Sequence, residues 1–389
     1  MPQRKANTLC GTRPGAVLPA ILLHLFLVLS VHAQQWVTPG VSAPRVQRVV
    51  FASASVGAPV SYHVYTPAAY AADPARRFPV LYWLHGTNSV LTGISPMSSW
   101  FDAAISSGRI PPMIVVFPNG LGTGMWCNWA SQPVPVEDMV IRDLLPEVDA
   151  RFRTIAARHG RIIEGFSMGG YGAARLGFRY NHLFGGISML AAGPLQLDFT
   201  LDQPGSPVSP AQRAQIFQDV YGNDPAIFLA QSPWMLAELN RPALLAAGTP
   251  IRQLIGGADF TLPANLDFHA RMDALSIPHG FFNPPGIGHD VLALFGAYGE
   301  ANWAFYRSVF DPPAAQCVSD IAGPGGTRPG DGTVDGSDFI AFINSFSIGD
   351  TAVDSTADIA GGGAAGTEPD GTVDGSDFIA FINAFSLGC

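Results

Sequence analysis

The stretch from Arg161 to Leu176, RIIEGFSMGGYGAARL, constrains this chain more than any other. Ile162 and Ile163 open a short apolar run of the kind that forms a buried strand. Gly165-Phe166-Ser167-Met168-Gly169 then turns sharply, and Ala173, Ala174, Arg175 and Leu176 continue as a helix. Strand, G-x-S-x-G and helix in succession hold the serine on a strained turn. Glycines two before and two after Ser167 leave room for strand and helix to pass close together. The hydroxyl then stands clear of the sheet, at the positive end of a helix that favours developing negative charge. Ser167 is therefore a candidate nucleophile. The bland alternative is a tight turn with an incidental serine.

The flanking segments fix the fold class. Arg45–Phe51 and Val60–Tyr65 have strand-like composition around a Gly57-Ala58-Pro59 turn, which predicts an antiparallel hairpin. Pro79–Leu84 and Pro112–Phe117 are continuous apolar runs, so strands buried on both faces. Helical spacing covers Ser98–Ile105 and Val136–Phe152. Gly185–Ala192, Ile251–Ile255 and Phe281–Phe282 complete the strands. This alternation predicts an α/β domain with a mostly parallel central sheet and helices on both faces. Pro194–Asn240 has weak strand signals and reads either as a helical cap or as surface packing.

A chain of 389 residues exceeds one small core, and its two ends differ from its middle. Residues 1–33 read as a signal peptide. Arg4, Lys5 and Arg13 precede an apolar stretch, Ala16–Val31, and Val31-His32-Ala33 has the small-x-small look of a cleavage site. That stretch is short for a spanning helix, so export with cleavage after Ala33 is expected, with no membrane span afterwards. From Cys317 onward, 11 acidic residues face a single Arg328, a net charge of −10, whereas residues 34–316 carry a net −2. A near-neutral body with an acidic tail argues against nucleic-acid binding and for a tail that binds cations. The expected division is 1–33 signal peptide, 34–311 α/β domain, 312–316 linker and 317–389 tail module.

A serine hydroxyl needs a base, and the base an orienting carboxylate. In an open parallel sheet these groups sit on loops at the carboxyl ends of strands. His289, in Pro284-Pro285-Gly286-Ile287-Gly288-His289-Asp290, follows the last predicted strand, and His279 precedes it as the second choice. Asp259 follows Ile251–Ile255 directly, in Gly256-Gly257-Ala258-Asp259, and its bland reading is a helix cap. The order Ser167, Asp259, His289 is that of α/β-hydrolases. Two backbone N–H groups should hold an oxyanion: Met168, next after the serine, and Thr87, in the loop after the first buried strand. His85 reads as shaping that loop. Trp100, Trp126, Asn128 and Trp129 are candidates to line an acyl or sugar pocket, with simple core packing as the alternative. Cys127 is expected to be a partly buried thiol with no catalytic part.

Residues of about 46–310 resemble the esterase D-like family of α/β-hydrolases, which includes feruloyl esterases, S-formylglutathione hydrolases and mycolyltransferases. The matching stretches are VLYWLHGTN at 80–88, VVFPNG at 115–120, EGFSMGGYGA at 164–173, GGAD at 256–259 and GIGHD at 286–290. The resemblance implies a Ser167-His289-Asp259 triad with Met168 and Thr87 as oxyanion donors. It implies no cofactor for catalysis. The chain departs from the family at Val291, where a tryptophan is frequent.

The tail is a repeat: DGTVDGSDFIAFINSFSI at 331–348 returns as DGTVDGSDFIAFINAFSL at 370–387. Each copy runs a carboxylate-bearing loop into a helix whose apolar face would be Phe339, Ile340, Phe342, Ile343 and Phe346 in the first copy. Carboxylates spaced along a Gly-bearing loop suit a hard cation such as Ca²⁺. Asp331, Asp335 and Asp338 with the Thr333 carbonyl would be ligands, as would Asp370, Asp374, Asp377 and Thr372. Asp320 and Asp358 stand upstream in matching Asp-Ile-Ala-Gly segments. This tail resembles a dockerin-like duplicated module ending in Gly-Cys, which implies calcium and a cohesin-like or cell-surface partner. Ala322 and Ala360 stand where a polar ligand is usual. Cys317 and Cys389 bracket the module, and a disulfide between them is expected.

The expectation is a secreted serine esterase acting on carboxylic esters, such as acetyl or feruloyl esters on polysaccharide. An acyltransferase of the mycolyltransferase type and a non-catalytic surface or binding protein on the same fold are the alternatives.

Overall fold

The computed structural model describes residues 1–2, 36–311, 321, 334–349, 351, 357–359 and 372–387. Residues 3–35, which include most of the expected signal peptide, and Cys317, Cys389, Asp320, Asp331, Thr333 and Asp370 lie outside the described residues.

Eight strands form one sheet in the order β1-β2-β4-β3-β5-β6-β7-β8. β1 (Val46–Ser53) and β2 (Ala58–Tyr65) are the predicted hairpin, pairing Val46 with Tyr65 through Ser53 with Ala58. β2 runs antiparallel to β4 (Ile114–Pro118). β3 (Val80–Leu84), β5 (Arg161–Phe166), β6 (Gly186–Leu190), β7 (Ile251–Leu254) and β8 (Gly280–Phe282) continue from β4 in parallel. The continuous apolar runs become strands covered on both faces. Along β3, Val80, Tyr82 and Leu84 enter one core while Leu81 and Trp83 enter the other. The two-residue period of a strand sends its neighbours into opposite layers.

Two helices differ from expectation for reasons rooted in proline. The helix expected at Ser98–Ile105 spans Ile94–Ser106. Pro96 falls in its first turn, where its missing N–H would have had no partner anyway. The helical stretch expected at Val136–Phe152 is interrupted: Met139–Leu144 is π-helical before Leu145–Arg151 resumes as α-helix. Pro146 cannot donate to the Arg142 carbonyl and would crowd it, so the ladder widens by a residue ahead of it.

Pro194–Asn240 is a loop to Ser209 followed by helices, and its first part, through Ile216, borders the space in front of Ser167. Its helices Pro210–Tyr221, Pro225–Gln231 and Pro233–Leu239 each start on a proline behind a capping side chain. Ser209, Asp224 and Ser232 accept from the N–H groups of Gln212, Ala226 and Trp234. A cap followed by proline is a strong helix start, because the proline needs no hydrogen-bond partner there.

In the tail, helices Gly336–Ile348 and Gly375–Leu387 pack through Phe342 and Phe381, whose rings stack 4.0 Å apart. Of the expected apolar face, Phe342 is buried and Phe346 partly so, whereas Phe339, Ile340 and Ile343 are exposed, as are Phe378 and Ile379 in the second copy. The packed stripe is narrower than the five-residue face read from the sequence. Among the described residues no helix is long and apolar enough to cross a membrane.

Candidate active site

Ser167 sits between β5 and the helix Met168–Arg179 with φ 60° and ψ −121°. A side chain at Gly165 would lie 2.2 Å from the Gly169 carbonyl oxygen, and one at Gly169 only 1.9 Å from that of Leu84. Neither position can hold a Cβ, so the two glycines are what lets the turn close. The Ser167 N–H donates to the Leu190 carbonyl (2.9 Å), which ties the turn to β6. Met168 is the first residue of the helix. Its N–H belongs to the first turn, which has no intrahelical acceptor.

Thr87 lies opposite, in the loop after β3. The N–H groups of Asn88 and Ser89 are engaged by Gly122 (2.7 Å) and Gly86 (3.1 Å) carbonyls. His85 holds this loop from beneath. Its Nδ1–H donates to the Gly86 carbonyl (2.8 Å) and its Nε2 accepts from the Gly120 N–H (3.2 Å). Burial pushes its pKa down to about 4, so the ring is neutral and keeps this pair of bonds near neutral pH. The expected shaping role for His85 matches this geometry.

Asp259 and His289 meet at the other side. His289 Nδ1 is 2.8 Å from Asp259 Oδ2. The other carboxylate oxygen, Oδ1, accepts from the Thr261 N–H (2.8 Å) and hydroxyl (2.9 Å). Asp259 is buried, so these bonds fix its rotamer and leave one oxygen for the imidazole. The ring of His289 lies between those of Phe166 (4.5 Å) and Phe260 (4.6 Å). The two loops are joined by main-chain bonds, Gly257 N–H to Pro284 (2.7 Å) and Ala258 N–H to Ile287 (2.9 Å). Asp290 does not orient its neighbour; it caps the following helix through the N–H groups of Leu292 and Ala293. His279, the second choice as base, lies before β8 and away from this cavity.

Ser167, His289 and Thr87 line one cavity of about 150 Å³ beneath the helical cap. Met125, Phe199, Val208 and Ile216 give it apolar walls, and Gln196, Gln203 and Arg213 polar groups. A hydroxyl, an imidazole held by a carboxylate, and N–H groups from a helix start are the parts that acyl transfer to serine needs. Phe166, Phe260 and Thr261 escaped the sequence reading. Thr261 carried a signal, since Asp-x-Thr is a local side-chain-to-backbone turn pattern.

The four suggested pocket residues do not line this cavity. Trp100 stacks on Phe295 and Trp303, Trp126 is fully buried against His85, Asn128 accepts from the Asp138 N–H and Trp129 packs on the core. Cys127 is fully buried rather than partly so, and burial pushes its thiol pKa up, away from thiolate chemistry.

In the tail, Asp338 Oδ1 and Oδ2 accept from the N–H groups of Ile321 and Asp335, both at 2.8 Å. Asp377 does the same for Ile359 (2.7 Å) and Asp374 (2.8 Å). Asp335 and Asp374 cap the helices through Ser337 and Ser376, both at 2.7 Å. The donor set here is all oxygen, which fits a hard cation, and every one of these carboxylates also serves as a helix cap.

The family model described as "Putative esterase" matches residues 53–242. Esterase Rv1288 of Mycobacterium tuberculosis strain H37Rv is 30% identical over 263 residues, 63% of this chain and 56% of its own. The chain therefore spans little more than half the length of that relative. A solved ferulic acid esterase is 23% identical with a TM-score of 0.54, covering 67% of this chain and 97% of its own. FphF, a fluorophosphonate-binding serine hydrolase of Staphylococcus aureus, is 19% identical with a TM-score of 0.53, covering 69% of this chain and 99% of its own. The chain has the α/β fold of these esterases, with the esterase-family match running from the end of β1 through the elbow and the helical cap.

Proposed function

We propose that this chain is an exported serine esterase that hydrolyses carboxylic esters, acetyl or feruloyl esters on polysaccharide among them. The observation that carries this reading is a serine on a strained elbow facing the same cavity as an imidazole held 2.8 Å from a buried carboxylate. Ser167 Oγ attacks the ester carbonyl carbon and its proton passes to His289 Nε2. Asp259 keeps Nδ1 protonated and steadies the imidazolium. The tetrahedral oxyanion accepts from the Met168 and Thr87 N–H groups. Collapse breaks the bond to the alcohol oxygen, which takes the proton from His289. Water then repeats the sequence on the acyl-enzyme. A panel of p-nitrophenyl acetate, methyl ferulate and longer acyl esters tests the reading, together with a fluorophosphonate probe. No turnover on any ester and no covalent label on Ser167 would sink it.

The loop holding Thr87 has little slack. A Cβ at Gly86 would lie 3.2 Å from Ser167 Cβ and 3.3 Å from the Phe166 oxygen. Gly86→Ala is expected to lower kcat/KM about tenfold by displacing the oxyanion donor, about 1.4 kcal/mol of barrier. Steady-state kinetics at an unchanged melting midpoint would show it, and wild-type kinetics would show that Thr87 is not needed.

Removal of residues 1–33 and docking through the tail belong to the same proposal. Calcium in the tail would be held by Asp335, Asp338, Asp374 and Asp377 with the matching residues of each loop. Millimolar Ca²⁺ is then expected to raise the melting midpoint of the tail by several degrees, since a ligand bound only to the folded form stabilises it. Calorimetric traces that coincide in calcium and in chelator would rule this out.

A further inference from the structure

Away from the catalytic cavity, His269, Asp273 and His279 bring three metal-ligating side chains together. His269 and Asp273 lie one turn apart on the helix Leu262–Ala274, and His279 lies just before β8. One donor atom from each falls within 4.8 Å of the other two. His269 Nδ1 is 2.7 Å from His279 Nε2, and His269 Nε2 is 3.5 Å from Asp273 Oδ2.

The protons in this cluster can be counted. The Ile277 carbonyl only accepts, so His279 Nδ1, 2.9 Å away, carries its proton. With that proton on Nδ1, the neutral ring presents Nε2 as its lone-pair nitrogen, and Nε2 faces His269. His269 Nδ1 stands against it, so two imidazole nitrogens converge on one small space, with the Asp273 carboxylate beside the same ring. The ring of His269 is meanwhile fixed, stacked on Phe281 with centroids 3.9 Å apart.

We propose that His269, His279 and Asp273 form a site for a borderline divalent cation such as Zn²⁺, with water in the fourth position. Imidazole nitrogens and a carboxylate are the usual donors for that ion, at about 2.0–2.2 Å in tetrahedral geometry. The second nitrogen of His279 already donates to a backbone carbonyl, as ligating histidines do. Asp273 is largely exposed and free to swing in, while the two nitrogens need to part by roughly half an ångström to reach tetrahedral spacing. The ion would join the helix that follows the Asp259 loop to the strand that leads into the His289 loop. It is thus a clamp behind the relay with no part in the chemistry.

The test uses the full chain without a histidine tag, stripped with chelator and titrated with Zn²⁺, and with Co²⁺ for its visible absorption. One Zn²⁺ per chain, a melting midpoint raised by roughly 5 °C at saturation, and four-coordinate Co²⁺ bands are expected. His279→Gln and His269→Gln should each weaken binding at least tenfold and abolish the bands. The exposed Asp273→Asn should weaken it similarly, which keeps the test open should a histidine variant not fold. Equal Zn²⁺ uptake by wild type and variants would assign the ion to the acidic tail and overturn the proposal. So would the absence of any uptake by the wild type.

Discussion

Ser167→Ala is expected to lower kcat on p-nitrophenyl acetate by a factor of at least about 10³, with the melting midpoint nearly unchanged. The size follows from what is removed: without Oγ no acyl-enzyme forms, and only binding and the oxyanion donors are left to act on water. The small stability effect follows from the turn. The Ser167 side chain caps nothing, and its positive φ is imposed by β5 and the helix, so alanine inherits the same strain. The measurement is steady-state kinetics with a melting curve on the same preparation. Turnover within tenfold of wild type would mean that ester cleavage takes place elsewhere.

The second large effect concerns stability. Glu164 and Arg252 are both buried and form an ion pair at 2.6 Å, three residues before the nucleophile. Tyr306 donates to Glu164 (2.9 Å), and Arg252 reaches Ser188 (2.8 Å) and the Asn302 side-chain oxygen (2.7 Å). Removing one partner leaves the other charge buried without compensation, at a cost of about 3–5 kcal/mol. Glu164→Leu and Arg252→Met should each lose that much in denaturant unfolding. The double substitution should recover a substantial part, because no lone charge is left and the volume is filled. Single variants within 1 kcal/mol of wild type would show that the network tolerates an unpaired charge.

The sheet was legible because its strands are runs such as VLYWL and IVVFP, which only a doubly covered strand accommodates. The elbow was legible because glycine spacing and strand-helix context leave few other shapes. Asp259 and His289 could be chosen by their place after β7 and β8, a topological rule needing no side-chain detail. The helical cap was under-read although Ser209-Pro210, Asp224-Pro225 and Ser232-Pro233 announce three helix starts. A weak strand signal says only what a segment is not, whereas a capping side chain before proline says where a helix begins. Phe166 and Phe260 were out of reach, because their stacking on His289 depends on how two distant loops meet. The tryptophans near Cys127 misled for a related reason: a large ring signals burial, and sequence alone does not say against what.

The Asp259 and His289 loops are fastened to each other through peptide groups: residues 257 and 258 donate, and residues 284 and 287 accept through carbonyls that any amino acid, proline included, supplies. Side chains at positions 283 to 285 can therefore vary without moving the imidazole off its carboxylate, whereas Gly286, at φ 73°, resists replacement. A single inserted or deleted residue would slide one loop past the other and part the carboxylate from the imidazole. Loop length is what this scaffold has to keep; much of the loop's spelling matters less.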